Sequence, residues 1–190
     1  MADSGDKAND LTRPILFRGE NVSIGLILES DLDFVFSNIN DPEVNRYLRI
    51  PGKIRSREEE IKWIRNLYSS EDIVLANVEN STGEIVGTIG LHQMDMRNKS
   101  AYVGYLTAKK YWKKGYTTEG VSLAIRYAFS VLNLRKVHSS VFAPNEGSLR
   151  VLKKNGFMEI GRYSRHVFVP GDGYVDEILL ELFNPDYVSE

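Results

Sequence analysis

The sequence predicts a single α/β or α+β sheet domain with crossover helices. Three observations predict it. Short apolar, partly β-branched runs set between turn residues fill the middle of the chain. In the second half two helical stripes alternate with strands, giving the order β-α-β-α-β-β. The length, 190 residues, is that of one domain able to bury a full core without cross-links.

Met1 to Thr12 is small and polar and reads as a flexible tail, which leaves residues 13–190 as the domain. Val22 to Leu28 reads as a strand. Ser30 and Asp31 offer an N-cap to a short helix carrying Leu32, Val35 and Phe36, and Pro42 suits the first position of the next. Pro51-Gly52 is a turn. Ser56-Arg57-Glu58-Glu59 is a capping box opening a helix with Ile61, Ile64 and Leu67 on one face and Trp63 near it. Ile73 to Val78 and Glu84 to Leu91 pair as a hairpin across Asn80-Ser81-Thr82-Gly83. Arg97-Asn98-Lys99 turns the chain into the strand Ala101 to Leu106. Val121, Ala124, Ile125, Ala128 and Leu132 form the apolar stripe of a helix from about Thr118 to Leu132. Lys136 to Phe142 is a strand, and Asn145 to Asn155 is a short helix stopped by Gly156. Gly161-Arg162 and Pro170-Gly171-Asp172-Gly173 bracket the last two strands.

Composition excludes several classes of function. With no cysteine there is no disulfide framework, zinc-thiolate site or cysteine nucleophile, which fits a reducing compartment. A net charge of −2 and a pI near 6.0 provide no positive field for nucleic acid. No apolar run is long enough to span a bilayer and the N-terminus lacks a signal-peptide core, so the expected location is the cytoplasm. His92, His138 and His166 show no metal-ligand spacing, so no metal is expected.

Two segments carry chemistry. Tyr111-Trp112-Lys113-Lys114-Gly115-Tyr116-Thr117-Thr118-Glu119-Gly120 links a strand to the long helix. A helix start exposes unpaired N–H groups and a positive dipole end, Gly115 permits close backbone approach, and Lys113 and Lys114 add charge. The combination suits a diphosphate, although an ordinary basic turn would look the same; G-x-G-x-x-G and the P-loop pattern are absent. The second segment, Asn145 to Phe157, reads locally as a well-terminated helix, with Leu149 and Leu152 apolar and basic residues near its end.

In this order, with a strand between them, the two segments resemble the GNAT superfamily of N-acetyltransferases. Trp112 to Thr117 is similar to the family's acetyl-CoA loop, and Asn145 to Phe157 to its N-x-x-S/A…G-F segment. Asp41-Pro42-Glu43-Val44, Arg46-Tyr47-Leu48, Gly87-Thr88-Ile89-Gly90-Leu91, Gly104-Tyr105 and Gly173-Tyr174-Val175-Asp176 resemble the branch of the RimJ and RimL ribosomal-protein acetyltransferases. The resemblance implies a mixed, mostly antiparallel sheet of about seven strands with about four helices, split where coenzyme A enters. It assigns acetyl-CoA contacts to Leu106, Thr107, Lys113, Lys114, Gly115, Tyr116, Thr117, Thr118 and Asn145. Trp112 replaces the loop's usual Gln or Arg, and Lys113 and Thr117 replace small residues, changes that leave backbone donors in place. Leu152 stands where many relatives carry a tyrosine acid.

The implied reaction is attack of a primary amine on the acetyl thioester. A base must take a proton from the amine. A backbone N–H of the strand Ala101 to Leu106 is expected to hold the thioester oxygen, and the thiolate needs little help to leave. The resemblance nominates Ser148 as acid; otherwise it is an ordinary first-turn serine. His92, at the end of a strand bordering the cleft, is the candidate base, with Asp95 and Glu119 as alternatives and Tyr102 where several relatives carry glutamate. The expected acceptor is a protein or peptide N-terminal amine. Arg46, Arg49, Lys53 and Arg55 would then face an acidic acceptor, or else form a solvated basic face. A polyamine, aminoglycoside or amino acid acceptor, a silent acyl-CoA-binding module and an unrelated nucleotide-phosphate-binding protein are the alternatives. A homodimer is left open.

Overall fold

In the computed structural model, residues 13–49 and 53–187 are described; the Met1–Thr12 tail and the Pro51-Gly52 turn lie outside them. Eight strands form one sheet: β1 (Ile15–Arg18), β2 (Val22–Leu26), β3 (Ile73–Glu79), β4 (Ile85–Asp95), β5 (Ser100–Thr107), β6 (Lys136–Phe142), β7 (Met158–Val169) and β8 (Gly173–Phe183). Their order across the sheet is β1-β2-β3-β4-β5-β6-β8-β7. Only β5 and β6 run parallel, as the crossover between them requires; the other pairs are antiparallel. The helices are α1 (Leu32–Ile39), α2 (Pro42–Asn45), α3 (Arg57–Asn66), α4 (Tyr116–Ser130) and α5 (Glu146–Lys154).

Local chemistry explains most boundaries. Asp41 caps α2 ahead of Pro42, accepting the Glu43 N–H at 2.8 Å. The capping box of α3 closes with the Glu59 N–H on Ser56 Oγ (3.1 Å) and the Ser56 N–H on Glu59 Oε2 (2.8 Å). The end of α5 is a complete Schellman motif: Gly156 has φ +86°, its N–H reaches the Lys153 carbonyl at 3.1 Å, and the Phe157 N–H reaches that of Leu152 at 3.1 Å.

The mixed, mostly antiparallel sheet is as expected; beyond the seven strands read from the sequence, four residues after Pro14 add an edge strand too short to show a periodicity. Three local expectations need correction. Gly161-Arg162 is not a turn: both lie inside β7, at an irregularity where the chain stays paired to β8. The strand β4 runs on to Asp95, so His92 lies within it. The helix α4 starts at Tyr116 and ends at Ser130, two residues earlier than expected at each end.

Strand alternation sends side chains to two cores. Leu75, Ile89, Leu91, Ala101 and Val103 face α4, packing on Val121, Ala124 and Ala128 with Leu152 and Phe157. Val74, Ala76 and Val78 face the other way, onto Ile27, Val35, Ile64 and Leu67, with Trp63 packed against that group. The sheet therefore has an α4/α5 face and an α1/α3 face. Gly90, His92, Tyr102 and Gly104 belong to the second, being one residue out of step with Ile89, Leu91 and Val103.

Candidate active site

The strands β5 and β6 pair only over Ser100–Tyr102 against Lys136–His138, and then part. Past the fork, Ser139 Oγ donates to the Val103 carbonyl at 2.8 Å, which fixes that carbonyl on the β6 side. Backbone direction alternates along a strand, so Tyr105 and Thr107 also turn their N–H and C=O groups into the split. The Thr107 carbonyl accepts Trp112 Nε1–H at 2.8 Å, and Thr107 Oγ1 meets Thr117 Oγ1 at 2.8 Å. These bonds fold the following turn back onto the strand end. By the same alternation the backbone groups of Leu106 lie on the β4 side, opposite Thr88. Tyr105 is the residue whose N–H faces the gap.

At the mouth of the split Lys113 and Gly115 both take left-handed backbone conformations, φ +62° and +86°. Such alternation turns successive N–H groups to one side, as in anion-binding nests. The fifteen-residue helix α4 follows with no side chain capping its start. Glu119, the acid of its first turn, is drawn away: its carboxylate accepts the Asn21 backbone N–H at 3.0 Å and Asn21 Nδ2 at 3.1 Å. An uncapped start on so long a helix leaves the N–H groups of Tyr116, Thr117 and Thr118 with the helix's positive end. Lys114 Nζ lies over the Tyr111 and Tyr116 rings, 5.2 and 5.9 Å from their centroids. These residues fit a diphosphate.

Ser148 lies on α5 with its hydroxyl 2.7 Å from the Tyr105 hydroxyl, which also donates to the Ser148 carbonyl at 3.1 Å. Ser148 is not a helix cap; Asn145 fills that role, accepting the Ser148 N–H at 3.2 Å through Oδ1. Burial pushes the Tyr105 phenol well above its ordinary range, so it holds its proton. Leu152 is wholly buried in the core against α4. Tyr105 and Ser148 thus bring two hydroxyls together between β5 and α5. Tyr105, from a strand, is a partner that helix spacing could not reveal.

On the α1/α3 face His92 pairs with Tyr102 in register, and Gly90 pairs with Gly104. The imidazole lies across both glycines. A Cβ at Gly90 would come within 2.1 Å of Nε2, and one at Gly104 within 3.3 Å of Cδ2. His92 Nδ1 meets Asp72 Oδ2 at 2.8 Å. The other candidate bases are occupied elsewhere. Asp95 accepts the Asn98 N–H at 2.8 Å and Nδ2 at 2.6 Å, bonds that lower its pKa. Glu119 holds the β1–β2 turn. Tyr102 packs edge-on to His138, at 5.6 Å between centroids.

Beside Tyr102 opens a cleft of about 550 Å³, whose lining includes Arg49, Tyr102, Arg135, Lys136, His138 and Glu181. The basic residues expected to meet an acidic acceptor are mostly engaged by the protein itself. Arg46 binds Asp172 at 2.7 Å, and Arg49 binds Glu177 at 2.5 Å and Ser140 Oγ at 2.6 Å. Lys53 lies 3.9 Å from Glu59. Nothing in the local sequence ties Arg49 to Glu177, 128 residues away.

The acetyltransferase (GNAT) domain family matches residues 24–158. An uncharacterized N-acetyltransferase, YoaA, of Bacillus subtilis (strain 168) is 30% identical over 152 residues, covering 78% of this chain and 85% of that protein. Among solved structures, the fold is similar to that of the spermidine N-acetyltransferase from Vibrio cholerae in complex with CoA and spermine. The TM-score is 0.80 at 19% identity, covering 90% of this chain and 100% of the other. It is similar also to the ribosomal-protein-S5-alanine acetyltransferase from Vibrio fischeri, with a TM-score of 0.76 at 20% identity over 91% and 98% of the chains. A sheet forked after three parallel pairs, an uncapped helix start at its mouth and these matches agree, and the chain belongs to the GNAT family as an acetyl-CoA-dependent N-acetyltransferase.

Proposed function

We propose that the acceptor is the α-amine of a protein or peptide N-terminus, as in the RimJ/RimL branch, with His92 as base and Ser148 as acid. The observation that carries this reading is the charge of the cleft. Arg49, Arg135 and Lys136 line it, while Glu177 is bound by Arg49 and Glu181 by Lys136 at 2.8 Å. Among the described residues of the cleft, no carboxylate is left to hold a polycation. A peptide needs none, since only its terminus is cationic.

The basicity of the acceptor points the same way. An α-amine loses its proton near pH ~8, roughly two units below an alkyl ammonium. A side-chain base therefore takes a proton from the first far more readily. The neutral nitrogen attacks the thioester carbonyl, whose oxygen takes the Tyr105 N–H in the split. The new C–N bond forms, the C–S bond breaks, His92 Nε2 carries the amine proton, and the Ser148 hydroxyl gives one to the sulfur. Ser148 regains its proton from solvent once the products leave, while Tyr105, which keeps its own proton, holds the Ser148 hydroxyl in place. The diphosphate of the donor rests on residues 113–118.

The test is thiol release from acetyl-CoA with peptides beginning in Ser, Ala or Arg, spermidine, an aminoglycoside and free amino acids. Release with peptides alone supports the reading. Release with spermidine alone overturns it in favour of a polyamine acceptor, the substrate class named for the Vibrio cholerae enzyme. Ser148→Ala should lower turnover about tenfold at unchanged coenzyme A affinity, and unchanged turnover would remove Ser148 from the mechanism.

A further inference from the structure

We infer that Asp72 is a positioning residue that fixes the tautomer of His92, holding the ring proton on Nδ1 and the lone pair on Nε2. This rests on the reading of His92 as the base. The two oxygens of Asp72 have separate duties. Oδ2 lies 2.8 Å from His92 Nδ1, and Oδ1 accepts the backbone N–H of Gln93 at 3.0 Å. A carboxylate only accepts, so its partner nitrogen must bear the proton. Gln93 has φ +49°, within the irregular stretch where β4 and β5 lose register between His92 and Asp95. The local twist turns its N–H to the Asp72 side, and the same carboxylate thereby ties down both the ring and the backbone beside it.

The sheet fixes the rest of the ring's position. Gly90 and Gly104 face each other across β4 and β5, and the imidazole occupies the space their missing side chains leave. Nε2 points over this floor, 3.4 Å from where a Cβ on Gly104 would stand. Gly104 precedes Tyr105, whose N–H faces the split. Two glycines and one carboxylate thus direct the ring's basic nitrogen to the strand position beside which the thioester is expected to lie. Asp72 itself sits in the loop before β3, held by its own N–H on Ser70 Oγ at 3.0 Å. No motif marks it.

The division of duties makes a test that separates positioning from support. In Asp72→Asn, the Gln93 N–H still requires an acceptor, so the amide oxygen turns to it. The amide NH2 then faces Nδ1 and drives the ring proton to Nε2, the wrong tautomer for a base. In Asp72→Ala the ring loses its partner but no donor is imposed. The near-isosteric Asn variant should therefore be the worse enzyme, with turnover down toward about 100-fold against about tenfold for Ala. A supporting role predicts the reverse order. The direct readout is the ¹⁵N shift pair of His92 in the full-length protein: Nδ1–H in the wild type, Nε2–H in Asp72→Asn. A wild-type Nε2–H tautomer, or an Asn variant that keeps Nδ1–H, overturns the inference. Turnover is measured with acetyl-CoA and whichever acceptor of the panel releases thiol, with His92→Gln alongside. Unchanged turnover in His92→Gln defeats the base reading itself. Loss in His92→Gln with Asn milder than Ala defeats only the role of Asp72.

Discussion

The proposed donor end, at the start of α4, and the proposed acceptor end, at the cleft beside Tyr102, are built in opposite ways. At the donor end, polar groups are left unmatched: the start of α4 has no cap, and its one acidic residue is diverted to Asn21. At the acceptor end the charged groups are matched within the protein, Arg46 with Asp172, Arg49 with Glu177 and Lys136 with Glu181. A diphosphate is bound best by backbone dipoles held open for it, because fixed N–H groups need no reorganisation when the anion arrives. A wall that shapes a cleft is held best by side chains that already have partners, because an unpaired buried charge is costly.

The donor end should break most sharply at Gly115. A β-branched residue at φ +86° meets backbone strain of about 1–3 kcal/mol. Gly115→Val should therefore weaken coenzyme A binding at least about tenfold by calorimetry while leaving the acceptor KM near its wild-type value. Equal losses on both would show that the turn shapes the whole cleft.

At the acceptor end the corresponding change is Arg49→Met, which strips the cation from Glu177, a carboxylate only 2% exposed. Arg49 is itself mostly exposed, so the cost should be about 1–2 kcal/mol in urea unfolding, below the ~3–5 of a fully buried pair. Adding Glu177→Gln should recover most of it, with coenzyme A affinity unchanged throughout. Loss of coenzyme A binding would tie the two ends together.

The smallest expected effect is in alkaline stability. Burial raises the Tyr105 phenol above the ordinary value of 10.0, so past that pH the unfolded chain releases a proton the folded chain keeps. The folded state then binds more protons, and stability must fall as pH rises. The contribution is complete below pH 10 and declines above it. Comparing urea midpoints at pH 8 and 10.5, Tyr105→Phe should lose less than the wild type.

Much of the donor end was legible because its signals are local. The strand, the turn around Gly115 and the stripe from Val121 to Ala128 follow each other in sequence, and Asn145 to Gly156 carries both its cap and its stop. The bounds of α4 were missed by two residues because Tyr116 and Thr117 look like turn, and only the φ of Gly115 shows where the helix starts. His92 was visible as a histidine near a strand end, but its ring position depends on Gly90 and Gly104 facing each other across two strands. Tyr105 appeared in the motif Gly104-Tyr105 without a role, since its partner Ser148 lies 43 residues on. The basic run Arg46 to Arg55 was left between facing an acidic acceptor and forming a solvated face, because a sequence shows charge but not which carboxylate folds onto it.

By itself the sequence determined most of the elements and their order, the absence of cysteine chemistry and the likeness to an acetyl-CoA enzyme, which rest largely on neighbours within a turn or a strand. Only the tertiary structure decided which groups meet: Tyr105 with Ser148, Asp72 with His92, Arg49 with Glu177. Those pairings form between elements, where geometry is set by strand register and helix packing, and a chain written in one dimension does not contain the distance between them.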